Sequence, residues 1–186
     1  MSTVASFTLE QYERMVEAGA FDGQYHQRVE FIQGEIRQMN PIGSWHAQVL
    51  GDLTDWSYDN TPRKQISIRV QTTLRIPQRN SAPEPDLLWV RRRNYSRKHP
   101  EPPDVLLLVE VAESSLAEDR GEKRKLYAPA MIAEYWLVNL VDNSIEVFRQ
   151  PDGIDFQSAE VFQGSDMVSP LCQPSAALRV DEFLPT

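Results

Sequence analysis

The sequence predicts an α/β fold of the α+β kind, a mixed central sheet flanked by helices with an extra β-hairpin at each end. Three observations lead there. Apolar residues change period along the chain in the order helix, hairpin, helix, three strands, helix, strand, hairpin. One of the three strands carries five consecutive apolar residues at 105–109, the pattern of a strand buried on both faces in the middle of a sheet. The 186 residues, 41% apolar and 25% charged, show no repeat, low-complexity stretch or long linker, so one domain over 1–186 with one core is expected.

Each element has its own local signal. Thr8 with Gln11 forms a capping box, and Leu9, Tyr12, Met15 and Val16 follow at helical spacing until Gly19. Residues 28–40 alternate around Gln33-Gly34, the signature of a short hairpin. Ser44 is expected to cap a second helix whose face is Val49, Leu50, Leu53 and Trp56, ending at Asn60-Thr61-Pro62. Three strands are expected at 66–76, 86–90 and 104–111. Ser115 with Glu118 forms a second capping box, opening a helix to about Ala128. Residues 134–140 read as a buried strand, and 144–149 with 156–162 as a closing hairpin turned at Asp152-Gly153.

Composition narrows the function. Residues 7–19 lack the basic start and apolar run of a secretory signal, and no apolar run approaches the roughly 20 residues that span a bilayer, so a cytoplasmic protein without membrane contact is expected. The single cysteine, Cys172, excludes an intramolecular disulfide, and His26, His46 and His99 lack zinc-ligand spacing, so any metal must be held largely by oxygen. A net charge of −8 argues against strong nonspecific nucleic-acid binding. The basic residues are nevertheless concentrated: Arg91, Arg92, Arg93, Arg97 and Lys98 in one stretch, Arg120, Lys123, Arg124 and Lys125 in another. Such clusters can face phosphate, or can simply be solvated surface. Trp45, Trp56, Trp89 and Trp136 read as core residues, with a homodimer interface as the alternative.

Three residues break the apolar pattern. Asp86, extended because it follows Pro85, stands at the mouth of a strand. Glu110 follows five apolar residues and precedes Val111, where an unpaired carboxylate would be costly; its alternative is a salt bridge to an arginine. Lys123 shares a helix face with Leu116, Tyr127 and Ala130, whereas Arg124 and Lys125 are rotated away by about 100° and 200°. Snorkelling to water is its other reading. Two inward carboxylates and an inward lysine suit Mg²⁺ and a phosphate. Because its charge matters more than its packing, replacing Lys123 by Ala is expected to leave stability nearly unchanged.

The segments EPDLLWV, LLLVEVAESS, EDRGEKRKLYA and AEYWLVNL, together with VEFIQGEIRQMNPIG and the following His46, resemble the Uma-type restriction endonuclease family of bacteria over nearly the whole chain. That family is similar to the PD-(D/E)XK nucleases, which implies a restriction endonuclease-like core of helix, three antiparallel strands, helix and a further strand. The resemblance makes Asp86 and Glu110 the paired acids. The lysine expected two residues after Glu110 is replaced by Ala112, and Lys123 matches the family's migrated lysine. Glu30 and His46 also match characteristic positions. The implied activity is Mg²⁺- or Mn²⁺-dependent cleavage of DNA, with the ion on Asp86, Glu110 and the Val111 carbonyl; the basic clusters then place Arg91, Arg92, Arg93 and Arg124 on the nucleic acid. The alternative is a catalytically silent module on the same fold that binds nucleic acid or a protein.

Overall fold

The computed structural model describes residues 5–22 and 28–184; His26 lies outside them. The Thr8 capping box forms as expected and starts α1 (Leu9–Glu17). The hairpin follows as β1 (Val29–Ile32) and β2 (Glu35–Gln38). Its turn residues Gln33 and Gly34 both have positive φ, +49° and +90°, and a Cβ at Gly34 would run into Ser6 Oγ. Glycine is therefore required there. Helix α2 (Ser44–Asn60) begins at the expected residue, but its N-cap is Gly43, with no side-chain cap bond, rather than Ser44.

The central sheet has six strands in chain order: β3 (Ile66–Val70), β4 (Leu87–Arg91), β5 (Val105–Ala112), β6 (Glu134–Asn139), β7 (Ser144–Pro151) and β8 (Phe156–Gln163). All neighbours are antiparallel except β5 and β6, which are parallel. A parallel pair needs a crossover, supplied by the helical segment between them. The strand expected over 66–76 stops at Val70: the Gln71 N–H still reaches the Asp86 carbonyl at 2.9 Å, in register with the ladder, but Gln71 takes φ +47° and the chain leaves the sheet. Short β9 (Met167–Val168), β10 (Leu178–Arg179) and α5 (Val180–Phe183) close the chain.

Alternation on β5 divides the core. Leu107, Val109 and Val111 pack with Trp89, Trp136 and α2 on one face. Leu108 and Ala112 pack with Leu126, Tyr127 and Leu137 on the other, and Glu110 belongs to that second face by register. Trp89 and Trp136 are core residues as expected, whereas Trp45 is exposed. The crossover segment is not one α-helix. It runs as α3 (Leu116–Glu118), a π-helical turn over Asp119–Lys123, then α4 (Arg124–Tyr127). Ser115 makes no cap; its hydroxyl donates to Asp119 Oδ2 at 2.6 Å instead. In the widened turn the Asp119 carbonyl accepts from the Arg124 N–H and also from the Tyr135 hydroxyl at 3.2 Å. Among the described residues no helix is long and apolar enough to cross a membrane.

Candidate active site

Asp86 immediately precedes β4, and the β4–β5 register, with Leu87 opposite Val109, makes Glu110 its next cross-strand partner. The two are interlocked. Asp86 N–H donates to Glu110 Oε2 at 3.2 Å, and Val111 N–H donates to Asp86 Oδ2 at 2.9 Å. Asp86 Oδ1 also faces His46 Nε2 at 3.1 Å, from the first turn of α2, and accepts from Gln71 Nε2 at 3.2 Å. An ionised carboxylate can only accept, so Nε2 carries the proton. Burial works against the Asp86 charge, yet the bonds from His46, Val111 and Gln71 outweigh it and hold the carboxyl below its usual value.

Glu110 has the opposite bias. Its Oε1 accepts from Lys123 Nζ at 3.1 Å and from the Tyr127 hydroxyl at 2.7 Å. Burial, with Asp119 and Asp86 adding like charge, pushes its carboxyl up to about 8 despite the lysine. Lys123 itself is 8% exposed and lies 3.3 Å from Asp119 Oδ1 and 3.8 Å from Glu30 Oε2. Burial opposes its charge too, but Glu110, Asp119, Glu30 and Asp86 together keep the ammonium protonated, well above the ordinary lysine range. Glu30, brought in by β1 through a Phe31–Ala82 bridge, is raised mainly by burial and partly restored by Lys123. One ammonium thus stands among four carboxylates beside a cleft of about 200 Å³ that they line with His46, Gln71 and Val111.

Asp86, Glu110, Lys123, Glu30, His46 and Val111, read from sequence, all line this cleft. The basic residues do not join them. Arg91, Arg92 and Arg93 stand at and beyond the far end of β4, about 17 Å from Asp86 at some 3.4 Å per residue. Arg91 donates to the Pro103 carbonyl, and Arg93 pairs with Asp104 at 2.7 Å. Arg124 makes two 2.7 Å bonds to Asp155 and covers the Phe148 ring, so its guanidinium is engaged in internal packing. Sequence reasoning missed Gln71 and Asp119. Asp119 had a signal, four residues before Lys123 on one helical face. Gln71 had none, since its role depends on the backbone turn that ends β3.

The donor set suits a hard divalent cation. Four acidic side chains against one ammonium leave net negative charge, and Glu30 Oε2 and Asp119 Oδ1 are buried without a hydrogen-bond partner. Among the described residues no three His, Cys, Asp or Glu side chains are arranged to hold an ion by themselves.

Three antiparallel strands, a helical crossover and a parallel fourth strand, with paired acids where β4 meets β5, define the class: a restriction endonuclease-like protein. A model of the Uma2 family, described as "Putative restriction endonuclease", matches residues 9–181, and the chain belongs to this family. Among solved structures it is similar in fold to a protein of Anabaena variabilis ATCC 29413 described as a "putative nuclease belonging to DUF820". The TM-score is 0.73 at 14% identity, over 96% of this chain and 97% of that one. No curated protein matches the chain.

Proposed function

We propose that this protein is a Mg²⁺- or Mn²⁺-dependent endonuclease that hydrolyses DNA phosphodiester bonds. The observation that carries the reading is the buried Lys123 ammonium, within 3.1–3.8 Å of Glu110, Asp119 and Glu30 and next to Asp86. A fully apolar site would be cheaper to fold, so such a charge cluster is expected where chemistry needs it. Asp86, Glu110 and the Val111 carbonyl would hold the ion, which when bound supplies charge at the phosphate and a water of lowered pKa. His46, Gln71 and the Val111 N–H keep Asp86 ionised and fixed in orientation. Tyr127 and Lys123 orient Glu110. Lys123 orients the attacking water and donates to a non-bridging phosphate oxygen.

The test is nicking of supercoiled plasmid by the purified protein with Mg²⁺ or Mn²⁺, and with EDTA. Cleavage that EDTA abolishes and that Asp86→Asn and Glu110→Gln each reduce at least about a hundredfold is expected. Equal nicking by the wild type and Asp86→Asn would overturn the reading. Metal-independent DNA binding without any cleavage would favour the silent module.

A further inference from the structure

A second cleft, of about 540 Å³, wraps the free edge of β3 and the segment after β4. Its walls include Tyr58, Arg63, Arg69, Arg92, Arg93 and Tyr95. Arg93 is answered by Asp104. Among the described residues no carboxylate lies within 4.0 Å of Arg63, Arg69 or Arg92; the contact of Arg92 is instead to the Arg63 carbonyl at 3.5 Å. Two of the three lie over aromatic faces, Arg63 over Tyr58 at 4.9 Å and Arg69 over Tyr95 at 5.2 Å. These stacks fix each guanidinium without using its N–H donors. Arg69 Nε is buried with no hydrogen-bond partner. A buried guanidinium donor left unpaired is costly unless a ligand completes it.

The sheet edge adds donors. Hydrogen bonds from Gln71 N–H to Asp86 and from Arg92 N–H to Gln65 set the alternation of the β3–β4 ladder. By that alternation the Ile68 N–H points off the free edge. Three unanswered cations, aromatic walls and an outward N–H in a protein of net charge −8 make a local anion site in an otherwise repulsive field. Arg69 stands two residues before Gln71, which contacts Asp86, so β3 links the two clefts at roughly 3.4 Å per residue.

We propose that the β3-edge cleft is a phosphate-binding site that grips the backbone of the nucleic-acid strand at a distance from the bond being cut. The inference rests on the nuclease reading for its choice of ligand, and deepens it by assigning substrate hold to Arg63, Arg69 and Arg92. Guanidinium forks match phosphate oxygens two at a time. Affinity from this cleft is therefore salt-dependent and indifferent to base sequence.

The experiment measures fluorescence anisotropy of a labelled DNA oligonucleotide with the full chain in EDTA, so that no turnover intervenes, across a salt series. Arg63→Gln/Arg92→Gln is expected to weaken binding about tenfold and to lower the salt slope by about 2, one for each lost phosphate contact. Both residues are exposed, so folding is not at stake. Arg69→Lys, which keeps charge but loses the fork, is expected to weaken binding severalfold. Arg179→Gln, a charge removed elsewhere on the surface, is expected to change neither quantity. Weakening confined to the cleft variants supports the proposal whether or not plasmid nicking is detected, so the two readings fail separately. Unchanged affinity and slope in Arg63→Gln/Arg92→Gln overturns it, even with metal-dependent cleavage intact. Arginine-dependent binding of inorganic phosphate without DNA binding overturns the assignment to a nucleic-acid backbone.

Discussion

Replacing Lys123 by Met keeps the apolar stem and deletes one buried charge. For Lys123→Ala the sequence alone led to the expectation of almost no effect on stability. Burial reverses it, because the ammonium is the only cation within reach of Glu110, Asp119 and Glu30 among the described residues. Removing one partner of a buried ionic cluster costs about 3–5 kcal/mol, since the remaining charges are left uncompensated. For a chain of this size that is a fall in Tm of roughly 6–20 °C. The cost depends on pH in a definite sense. The folded carboxyl of Glu110 lies at about 8, above its usual 4.5, so its contribution to stability is complete at low pH and is lost as pH rises through about 8. Lys123 lowers that carboxyl, so without it the losing range widens. The Tm deficit of Lys123→Met should thus be small at pH 5 and large at pH 8.5. Calorimetry or urea unfolding at both pH values, with EDTA present, measures it. Adding Glu110→Gln to Lys123→Met should recover part of the loss at pH 8.5, because a neutral amide needs no cation. A deficit below about 2 °C at pH 8.5, or a double variant no more stable than the single one, would refute the buried-cation reasoning.

Four further outcomes are expected. Asp86 has a lowered carboxyl, so the stability it contributes is present above its usual value of 3.8 and lost as pH falls through and below it; Asp86→Asn should flatten that acid limb and cost about 1.5–3 kcal/mol at pH 7 in urea unfolding. Mn²⁺ at a hundredfold excess over its Kd should stabilise the wild type by about 2.7 kcal/mol, and should leave Asp86→Asn and Glu110→Gln unshifted in the same thermal assay. Tyr127→Phe leaves Glu110 Oε1 without its 2.7 Å donor and should cost about 1–3 kcal/mol, whereas Arg124→Ala should cost about 1 kcal/mol through Asp155 and Phe148 while DNA affinity stays unchanged.

What the sequence by itself determined is what local physics decides. The Thr8 capping box, the Gln33-Gly34 turn and the strand alternation depend on neighbours within a few residues, and all appear in the structure. Asp86, Glu110 and Lys123 were legible for a related reason: each puts a charge into an apolar stripe, and a misfit of that kind shows without knowing its partner. Even the separation of Arg91, Arg92 and Arg93 from Asp86 was implicit, since five extended residues already span about 17 Å.

Only the tertiary structure decided which charges meet. Asp86 finds Gln71 because β3 breaks at a positive φ, and Glu30 enters because the first hairpin docks on Ala82. The Ser115 capping box failed because Asp119 took its hydroxyl, in a turn that widens to the π form as it supplies Asp119 and Lys123 to the cluster. The stability cost at Lys123 was beyond the reach of the sequence for the same reason. An amphipathic stripe says that a side chain faces the sheet, but the energy of a buried charge is set by the distance, number and solvation of partners contributed by β1, β5 and the crossover segment. Those quantities exist only once the elements have packed.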